Sequence, residues 1–187
     1  MAQKRKDWNG LISGFKASDL VFLDESGCNT DMTRRYAYSL GGNRAVDSAP
    51  LSKPKNTTIL SSIRLDGTLR YTTFSGGTTV ERFKRYLETD LLPHLNGNSV
   101  LIMDNMKSHH AKAVKELLDS SGVRYIYLPP YSPDLNPIEK LWSKVKAFLR
   151  KFKARTLDAL PNAIQNAFHS VTVSDCSGWF RFCGYAL

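Results

Sequence analysis

The stretch VRYIYLPPYSPDLNPIEKLWSKVKAFLRKF, residues 123–152, contains the change of pattern that decides the fold. Residues 123–128 are mainly β-branched, aromatic or aliphatic, which predicts a short strand. Four prolines follow between residues 129 and 137, and because each fixes one backbone φ angle, this segment is predicted to be a stiff loop. From Ile138 to Phe152 the apolar residues recur every three or four positions, which indicates an amphipathic helix.

The same alternation of strands and helices extends towards the N-terminus. Asp66-Gly67 separates two runs rich in Thr, Tyr and Ile, so a tight hairpin is predicted there. A meander followed by strand–helix units is typical of an α/β fold with a mixed sheet flanked by helices, and a ribonuclease-H-like fold is one of several with this plan. We expect strands at 20–23, 36–40, 57–65, 68–74, 99–103 and 123–128, and helices at 78–95, 111–118, 138–152 and 157–168.

Length and composition predict one ordinary globular domain. The chain has 187 residues, of which 42% are hydrophobic and 23% charged. We expect a basic leader over residues 1–18 and a single domain over 19–187. No run approaches the roughly 18 apolar residues of a membrane span, and no secretion signal is recognisable, so we expect a cytoplasmic protein with no membrane partner. The three cysteines form no C-x-x-C pair, which argues against a disulfide framework or a zinc knuckle.

The net charge of +9 favours polyanionic partners. It is concentrated between Glu139 and Arg155, where seven basic residues face one acid. We interpret this segment as a cationic surface for DNA phosphates, and a solvated helix face is the alternative. Arg34, Arg35 and Lys107 are further candidates for phosphate contacts, or for salt bridges. The basic residues of the segment are Lys140, Lys144, Lys146, Arg150, Lys151, Lys153 and Arg155.

Three acidic residues are candidates for a metal site. Asp24 and Asp104 each end a predicted strand, and ligands gather at the carboxyl ends of strands in open α/β sheets. Glu139 lies in the first turn of the amphipathic helix. If the strands are neighbours, three converging carboxylates can hold two divalent cations about 3.5 to 4 Å apart, as phosphodiester chemistry requires. Magnesium suits such a site because it prefers oxygen ligands.

Each acid also has a simpler explanation. Asp24 and Asp104 stand where acids commonly form turns after strands. Asn136 as N-cap and Pro137 at the first helical position would place Glu139 at the third, where an acid supports the cap and the helix dipole.

Three blocks of the sequence are informative when they are read together. They are VFLDESG at 21–27 with DMTRRY at 31–36, LIMDNMKSHH at 101–110, and YLPPYSPDLNPIEKLW at 127–142. These blocks resemble the catalytic domain of DDE transposases, and specifically the bacterial insertion sequence six-thirty family of the mariner superfamily. Thirty-four residues separate Asp104 and Glu139, a spacing similar to that of this superfamily.

The resemblance implies a ribonuclease-H-like catalytic domain with Asp24, Asp104 and Glu139 as its catalytic metal ligands. It implies two Mg²⁺ or Mn²⁺ ions per site, and cleavage of DNA followed by joining of a 3′-hydroxyl to target DNA. The implied partners are the DNA of the element ends and of the target, and a second copy in a homodimer. His109 and His110 lie where the family also has histidine, and we expect them to contact the DNA strand or a metal-bound water. A surface or helix-capping histidine is the alternative at both positions.

Members of that family carry helix-turn-helix units before the catalytic domain, whereas about 18 residues precede the first predicted strand here. We therefore expect a truncated copy, an isolated catalytic fragment or a frameshift product, served by a separate or fused N-terminal helix-turn-helix region. In the cell it would be nucleoid-associated. Two other functions stay open at this stage: a non-catalytic DNA-binding remnant, and a stand-alone ribonuclease-H-like nuclease.

Overall fold

Five strands form one mixed sheet in the order β3-β2-β1-β4-β5 in this computed structural model, which describes residues 2–34, 36–48, 50–51 and 54–185. β1 pairs antiparallel with β2, and β2 pairs antiparallel with β3. On its other side β1 runs parallel to β4, and β4 runs parallel to β5. The strands are β1 (Leu20–Cys28), β2 (Thr57–Arg64), β3 (Leu69–Ser75), β4 (Val100–Met103) and β5 (Arg124–Tyr127).

The α-helices cover both faces of this sheet. The helices are α1 (Ala2–Ile12), α2 (Val80–Tyr86), α3 (Lys112–Ser121), α4 (Ile138–Phe152), α5 (Ala159–His169) and α6 (Val173–Phe182). None of the helices formed by the described residues has the length and apolar character needed to cross a membrane.

The central strand β1 has a buried side chain on either face of the sheet. Leu20 and Phe22 pack in the apolar cluster that also contains residues of α1, α4, α5 and α6. Val21 and Leu23 pack in a second cluster with residues of α2 and α3. A strand covered on both faces lacks the polar–apolar alternation of a half-exposed strand, which explains the continuous apolar run in the sequence.

Most predicted elements are present, but the strand expected at 36–40 is wrong. The described residues from 29 to 56 form no strand, and Tyr36 and Tyr38 are exposed rather than paired. Aromatic and β-branched residues favour a strand only where a neighbouring strand and a buried face receive them, and neither is present here.

The helix expected at 78–95 is regular only in its first part. It begins at Val80, with the side chain of Thr79 accepting a hydrogen bond from the Arg82 backbone N–H. It widens to a π-turn over Leu87–Leu91 and ends as a 3-10 turn over Leu92–His94. Pro93 accounts for this change in the helix. Its ring would clash with the carbonyl oxygen one turn earlier in a regular α-helix, and it has no backbone N–H to donate.

Two helices lie where none was expected. α6 starts with a capping box in which Thr172 and Asp175 bond to each other's backbone N–H. α1 lies within the segment expected to be a basic leader, and its Trp8 is buried against the sheet cluster.

Candidate active site

The acids Asp24, Asp104 and Glu139 line one cavity of about 430 Å³. The pairing of β1 with β4 brings the two aspartates together: Leu23 lies opposite Met103 in parallel register, so the next residue on each chain is an aspartate. Glu139 reaches the cavity from the first turn of α4. The tertiary structure therefore brings together all three acids that the sequence singled out.

The carboxylate of Asp24 is the most enclosed of the three, with the residue only 7% exposed. Its Oδ1 accepts the Glu25 backbone N–H at 2.7 Å, and its Oδ2 lies 3.4 Å from Asn136 Nδ2 and 3.3 Å from Trp142 Nε1. Burial, together with the negative charges of Asp104 and Glu139, raises the pKa of Asp24 to about 7, against the lowering effect of the hydrogen bonds. The three acids are thus close enough to repel one another.

Asp104 has the opposite electrostatic environment. Its Oδ1 accepts the Met106 backbone N–H at 2.9 Å and lies 2.8 Å from His109 Nδ1. Burial opposes ionisation of this carboxyl, but those hydrogen bonds and the charges of His109 and His110 outweigh it, so the pKa of Asp104 is lowered. The bond to Met106 is the turn contact that the simpler explanation of Asp104 anticipates, and the same residue also lines the cavity.

Glu139 does not close its own helix. Pro137 is the residue before the first helical position, and no side-chain cap forms there. Asn136, expected as the N-cap, is buried and directs its amide to Asp24 instead. Within the described residues the Glu139 carboxylate has no hydrogen-bond partner, and the residue is exposed at the cavity. The expected side-chain cap by Asn136 is therefore wrong, whereas Glu139 does lie in the first turn, where an acid favours the helix dipole.

The proline-rich loop that leads to Glu139 is fixed from two sides. Asn105 Nδ2 donates to the Leu128 carbonyl at 2.5 Å, which ties the end of β4 to the start of the loop. Arg5 of α1 donates to Ser132 Oγ at 3.3 Å and forms an ion pair with Asp134. The N-terminal helix thus buttresses the loop that forms one wall of the cavity.

Tyr131, at the tip of this loop, has an unusual backbone conformation. Its φ of 54° lies in the left-handed region, which costs a non-glycine residue about 1 kcal/mol. The side chain is 90% exposed while lining the cavity beside the acids. Because the Tyr131 side chain is exposed, its burial does not compensate for the energetic cost of the left-handed backbone.

The residues present fit a divalent cation of the magnesium type. Carboxylate oxygens from three elements share one cavity, and the buried Oδ1 of Asn136 has no hydrogen-bond partner within the described part of the chain. Burial and the charges of Asp104 and Glu139 together raise the pKa of Asp24, and a cation would offset the repulsion among the three acids. Among the described residues no three His, Cys, Asp or Glu side chains enclose a single ion, so water and a phosphate would have to complete the shell.

The basic residues of α4 do not form one surface. Lys140 lies over the ring of Phe182, with Nζ 3.9 Å from the ring centroid. Lys144 forms an ion pair with Asp175 at 2.5 Å. Both lysines therefore have partners on α6, and their contribution to a DNA surface is smaller than their charge suggests.

The other flank of α4 offers cations with no acidic partner in the described residues. Lys146 and Arg150 line a second cavity of about 410 Å³ between α4 and the segment after β1, where the Oδ1 of Asn29 is buried without a hydrogen-bond partner. Lys151 and Arg34 line a third cavity. These four side chains form no ion pair among the described residues, although Asp31 lines the second cavity and Asp47 lines the third.

The remaining basic candidates have varied environments. Lys153 pairs with Asp47 at 2.6 Å, and Arg155 donates to the carbonyls of Thr30 and Met32, which anchors the segment after β1. Lys107 is exposed and directly follows Met106, which lines the cavity of the three acids. Arg35 lies outside the described residues.

His109 and His110 have different environments. His110 is exposed and stacks on Tyr127, with ring centroids 4.1 Å apart. His109 is fully buried, so the expectation that it contacts DNA is wrong, because its ring faces Asp104 and Phe83 instead.

Sequence reasoning missed the residues that support the acids. Asn136 was interpreted as a cap and Trp142 as part of the apolar face of α4, yet both donate to Asp24. The sequence contained one signal for Trp142. A buried indole N–H needs an acceptor. Trp142 also lies three residues after Glu139, on the same helix face, and therefore on the side of α4 that faces the acids.

Comparisons with known proteins identify relatives of this chain. Residues 19–161 match the family model described as DDE superfamily endonuclease. The Tc1 transposase of Caenorhabditis elegans is 29% identical over 97 residues, covering 50% of this chain and 36% of that protein. The Tcb2 transposase of Caenorhabditis briggsae is 32% identical over 75 residues, covering 40% of this chain and 28% of that protein. These matches span about a third of the curated relatives.

Solved structures confirm the fold at low sequence identity. The pre-cleavage Mos1 transpososome superposes with a TM-score of 0.82 at 18% identity, over 97% of this chain and 58% of that chain. The catalytic domain of Mos1 mariner transposase gives 0.68 at 16% identity, over 96% and 85%. The predicted ribonuclease-H-like fold is thereby confirmed. With the family model matching most of its length, the chain belongs to the DDE superfamily of endonucleases.

Proposed function

We propose that this chain is a transposase catalytic domain that cleaves DNA strands and joins a 3′-hydroxyl to target DNA. The observation that carries the proposal is the parallel pairing of β1 with β4, which sets Asp24 beside Asp104 on the cavity that Glu139 also lines. Carboxylates that converge at the carboxyl ends of neighbouring strands suit phosphoryl transfer between DNA strands.

The three acids would hold Mg²⁺ or Mn²⁺, and we propose two ions per site. Such ions activate the attacking oxygen and stabilise the leaving oxygen of an in-line displacement when bound. Mos1 paired-end complexes solved with Mg and with Mn support this choice of metals. Asp24 is held by Trp142 and Asn136, while Asp104 is held by Met106 N–H, so both carboxylates are oriented by this chain alone.

DNA is the proposed partner, as element ends and as target. Lys146, Arg150, Lys151 and Arg34 would contact phosphates beyond the end of β1, with Lys107 closer to the cavity. Mos1 structures of a pre-cleavage transpososome and of a paired-end complex with a transposon end support DNA as the partner.

The finer assignment is to the bacterial insertion sequence six-thirty family. It rests on the three sequence blocks, above all on YLPPYSPDLNPIEKLW at 127–142. With it we propose a homodimer, an N-terminal helix-turn-helix region in the same or another chain for end recognition, and a nucleoid-associated protein of the cytoplasm.

Plasmid nicking tests the proposed function. We expect the purified protein to convert supercoiled plasmid to the open circle with Mg²⁺ or Mn²⁺ and not with EDTA. Asp104→Asn should abolish nicking, because the amide supplies neither the charge nor both oxygens of the carboxylate. Asp158→Asn is the matched control, since Asp158 is exposed and lies outside the cavity.

Three results would contradict the proposal. Equal nicking by the parent and Asp104→Asn would remove the acid from the reaction. Salt-sensitive DNA binding without metal-dependent nicking would indicate a non-catalytic remnant. Preferential cleavage of RNA·DNA hybrids or branched DNA over plain duplex would instead favour a stand-alone nuclease.

A further inference from the structure

We propose that His109 is a positioning residue that fixes the Asp104 carboxylate for metal binding. The inference rests on the proposed function, because it concerns how one of the three acids is presented. His109 touches neither solvent nor the cavity, so it acts through Asp104 and not on DNA.

The first observation is the contact itself. His109 Nδ1 lies 2.8 Å from Asp104 Oδ1, and the same oxygen accepts the Met106 backbone N–H at 2.9 Å. Two donors thus converge on one carboxylate oxygen. Within the described residues nothing hydrogen-bonds to Oδ2, and the carboxylate side chain is 36% exposed at the cavity. The pair of donors fixes which oxygen remains for a cation.

The second observation is that the imidazole has no freedom to leave. Its ring stacks on Phe83, with centroids 4.2 Å apart and planes inclined by 27°. Its backbone is also held, because the Tyr127 hydroxyl donates to the His109 carbonyl at 3.0 Å and the His109 N–H donates to the Met106 carbonyl at 3.0 Å. Contacts from α2, β5 and the turn after β4 therefore converge on this residue.

The third observation shows that packing alone does not explain a histidine here. The buried Nε2 of His109 has no hydrogen-bond partner in the described part of the chain. An unpaired buried polar atom is destabilising, and a phenylalanine of similar shape would avoid that cost. The ring therefore serves through its other nitrogen, which donates to Asp104 because a carboxylate can only accept.

Residues that orient a metal ligand through a hydrogen bond affect metal affinity strongly. Loss of such a partner commonly weakens metal binding about 10- to 100-fold. For His109 the loss would free Asp104 to rotate between positions, so that fewer molecules present Oδ2 to the cavity.

The test measures Mn²⁺ binding to the full chain by the electron paramagnetic resonance signal of free Mn²⁺, without DNA. Three substitutions separate the roles of the ring. His109→Asn places an amide N–H near the position of Nδ1, His109→Gln places one near the position of Nε2, and His109→Phe keeps the stack on Phe83 without any donor. Thermal unfolding without metal is recorded for each, and His94→Gln, an exposed histidine outside the cavity, is the control.

We expect His109→Gln and His109→Phe to bind Mn²⁺ about tenfold or more weakly than the parent, and His109→Asn to stay within about threefold. A role in packing alone gives the reverse ranking, with His109→Phe closest to the parent, and would overturn the inference. Equal affinities for His109→Asn and His109→Gln would overturn it as well. If one of the three variants unfolds, the Mn²⁺ affinities of the other two still distinguish positioning from packing. His109→Asn and His109→Gln bury the same amide group, so a difference between them does not come from the cost of burying an amide.

Failure of the inference is distinguishable from failure of the proposed function. Asp104→Asn is measured alongside, and a parent that binds Mn²⁺ no better than this variant contradicts the metal site itself. A parent that binds Mn²⁺ tightly, together with His109→Gln and His109→Phe variants that bind equally well, contradicts only the role of His109.

Discussion

The indole nitrogen of Trp142 lies 3.3 Å from Oδ2 of Asp24, so helix α4 contacts the carboxylate on β1 directly. The two residues are 118 positions apart in the chain. Because Glu139 lies one turn earlier on α4, this contact fixes the distance of the third acid from the sheet.

Trp142→Phe tests this link, since it keeps an aromatic ring and removes the donor. We expect the free energy of unfolding to fall by about 1 to 3 kcal/mol, because the buried Asp24 carboxylate loses a partner and the smaller ring leaves space. Urea unfolding followed by circular dichroism measures it. Trp179→Phe, on α6 and partly buried, is the control, and equal losses at both positions would show that only packing matters.

Asp24→Asn is expected to stabilise the metal-free protein at pH 8 by about 1 to 2 kcal/mol while abolishing nicking. The reason is that burial and the neighbouring acids raise the pKa of Asp24 to about 7, so its charge at pH 8 is unfavourable without a cation. Thermal unfolding with EDTA checks the first effect. With Mn²⁺ present the order should reverse, because the parent alone gains stability from the ion. A parent that is more stable than the variant in EDTA contradicts this explanation.

The ion pair of Lys144 with Asp175 should make stability depend on pH in acid. The hydrogen bond from Lys144 lowers the pKa of Asp175, aided by the Thr172 backbone N–H and hydroxyl. A depressed carboxyl pKa stabilises the folded state above the ordinary pKa, and this stability is lost as pH falls through the folded value. Asp175→Asn should therefore cost about 0.5 to 1 kcal/mol at pH 7, the size of a solvent-screened pair, and almost nothing at pH 2.

Chemical denaturation at the two pH values measures this difference. Asp158→Asn, at the exposed start of α5 with no side-chain cap, should show no comparable change between them. A loss for Asp175→Asn that is equally large at both pH values would mean that geometry at the helix start matters and charge does not.

Lys146→Gln should weaken binding to duplex DNA and lower the magnitude of its salt slope by about 1. The reason is that Lys146 has no acidic partner among the described residues and lies beside Arg150 in a cavity. Lys144→Gln is the matched control on the same helix, because Asp175 already neutralises Lys144. Fluorescence anisotropy over a range of salt concentrations measures both. Equal slopes for the two variants would contradict the division of α4 into two flanks.

Tyr131→Gly should leave stability within about 1 kcal/mol of the parent, since the side chain is exposed and a φ of 54° favours glycine. We expect DNA affinity beside the acids to fall about fivefold or more, because an exposed aromatic ring there can stack on a base. Tyr131→Phe keeps the ring and should retain the affinity. Binding of an oligonucleotide with Tyr131→Gly at the parent's affinity would contradict a stacking role.

The sequence by itself determined most of the elements and the identity of the three acids. The spacing of apolar residues and the presence of turn-forming residues are local properties of the chain. Residues 123–152 therefore contain the signals for their own strand, loop and helix. The helix begins at Ile138 and ends at Phe152, as predicted. The strand predicted at 36–40 failed because a strand needs a partner, and no local pattern supplies one.

The contacts among the acids were decided only by the tertiary structure. The register of β1 on β4 sets Asp24 beside Asp104, and the packing of α4 brings Asn136 and Trp142 to Asp24 across more than 100 residues of chain. Packing against α6 likewise engages Lys144 and leaves Lys146 available, although both have the same charge in the sequence. Hydrogen bonds and ion pairs act over a few ångströms, so they depend on which segments meet, and sequence spacing does not record that.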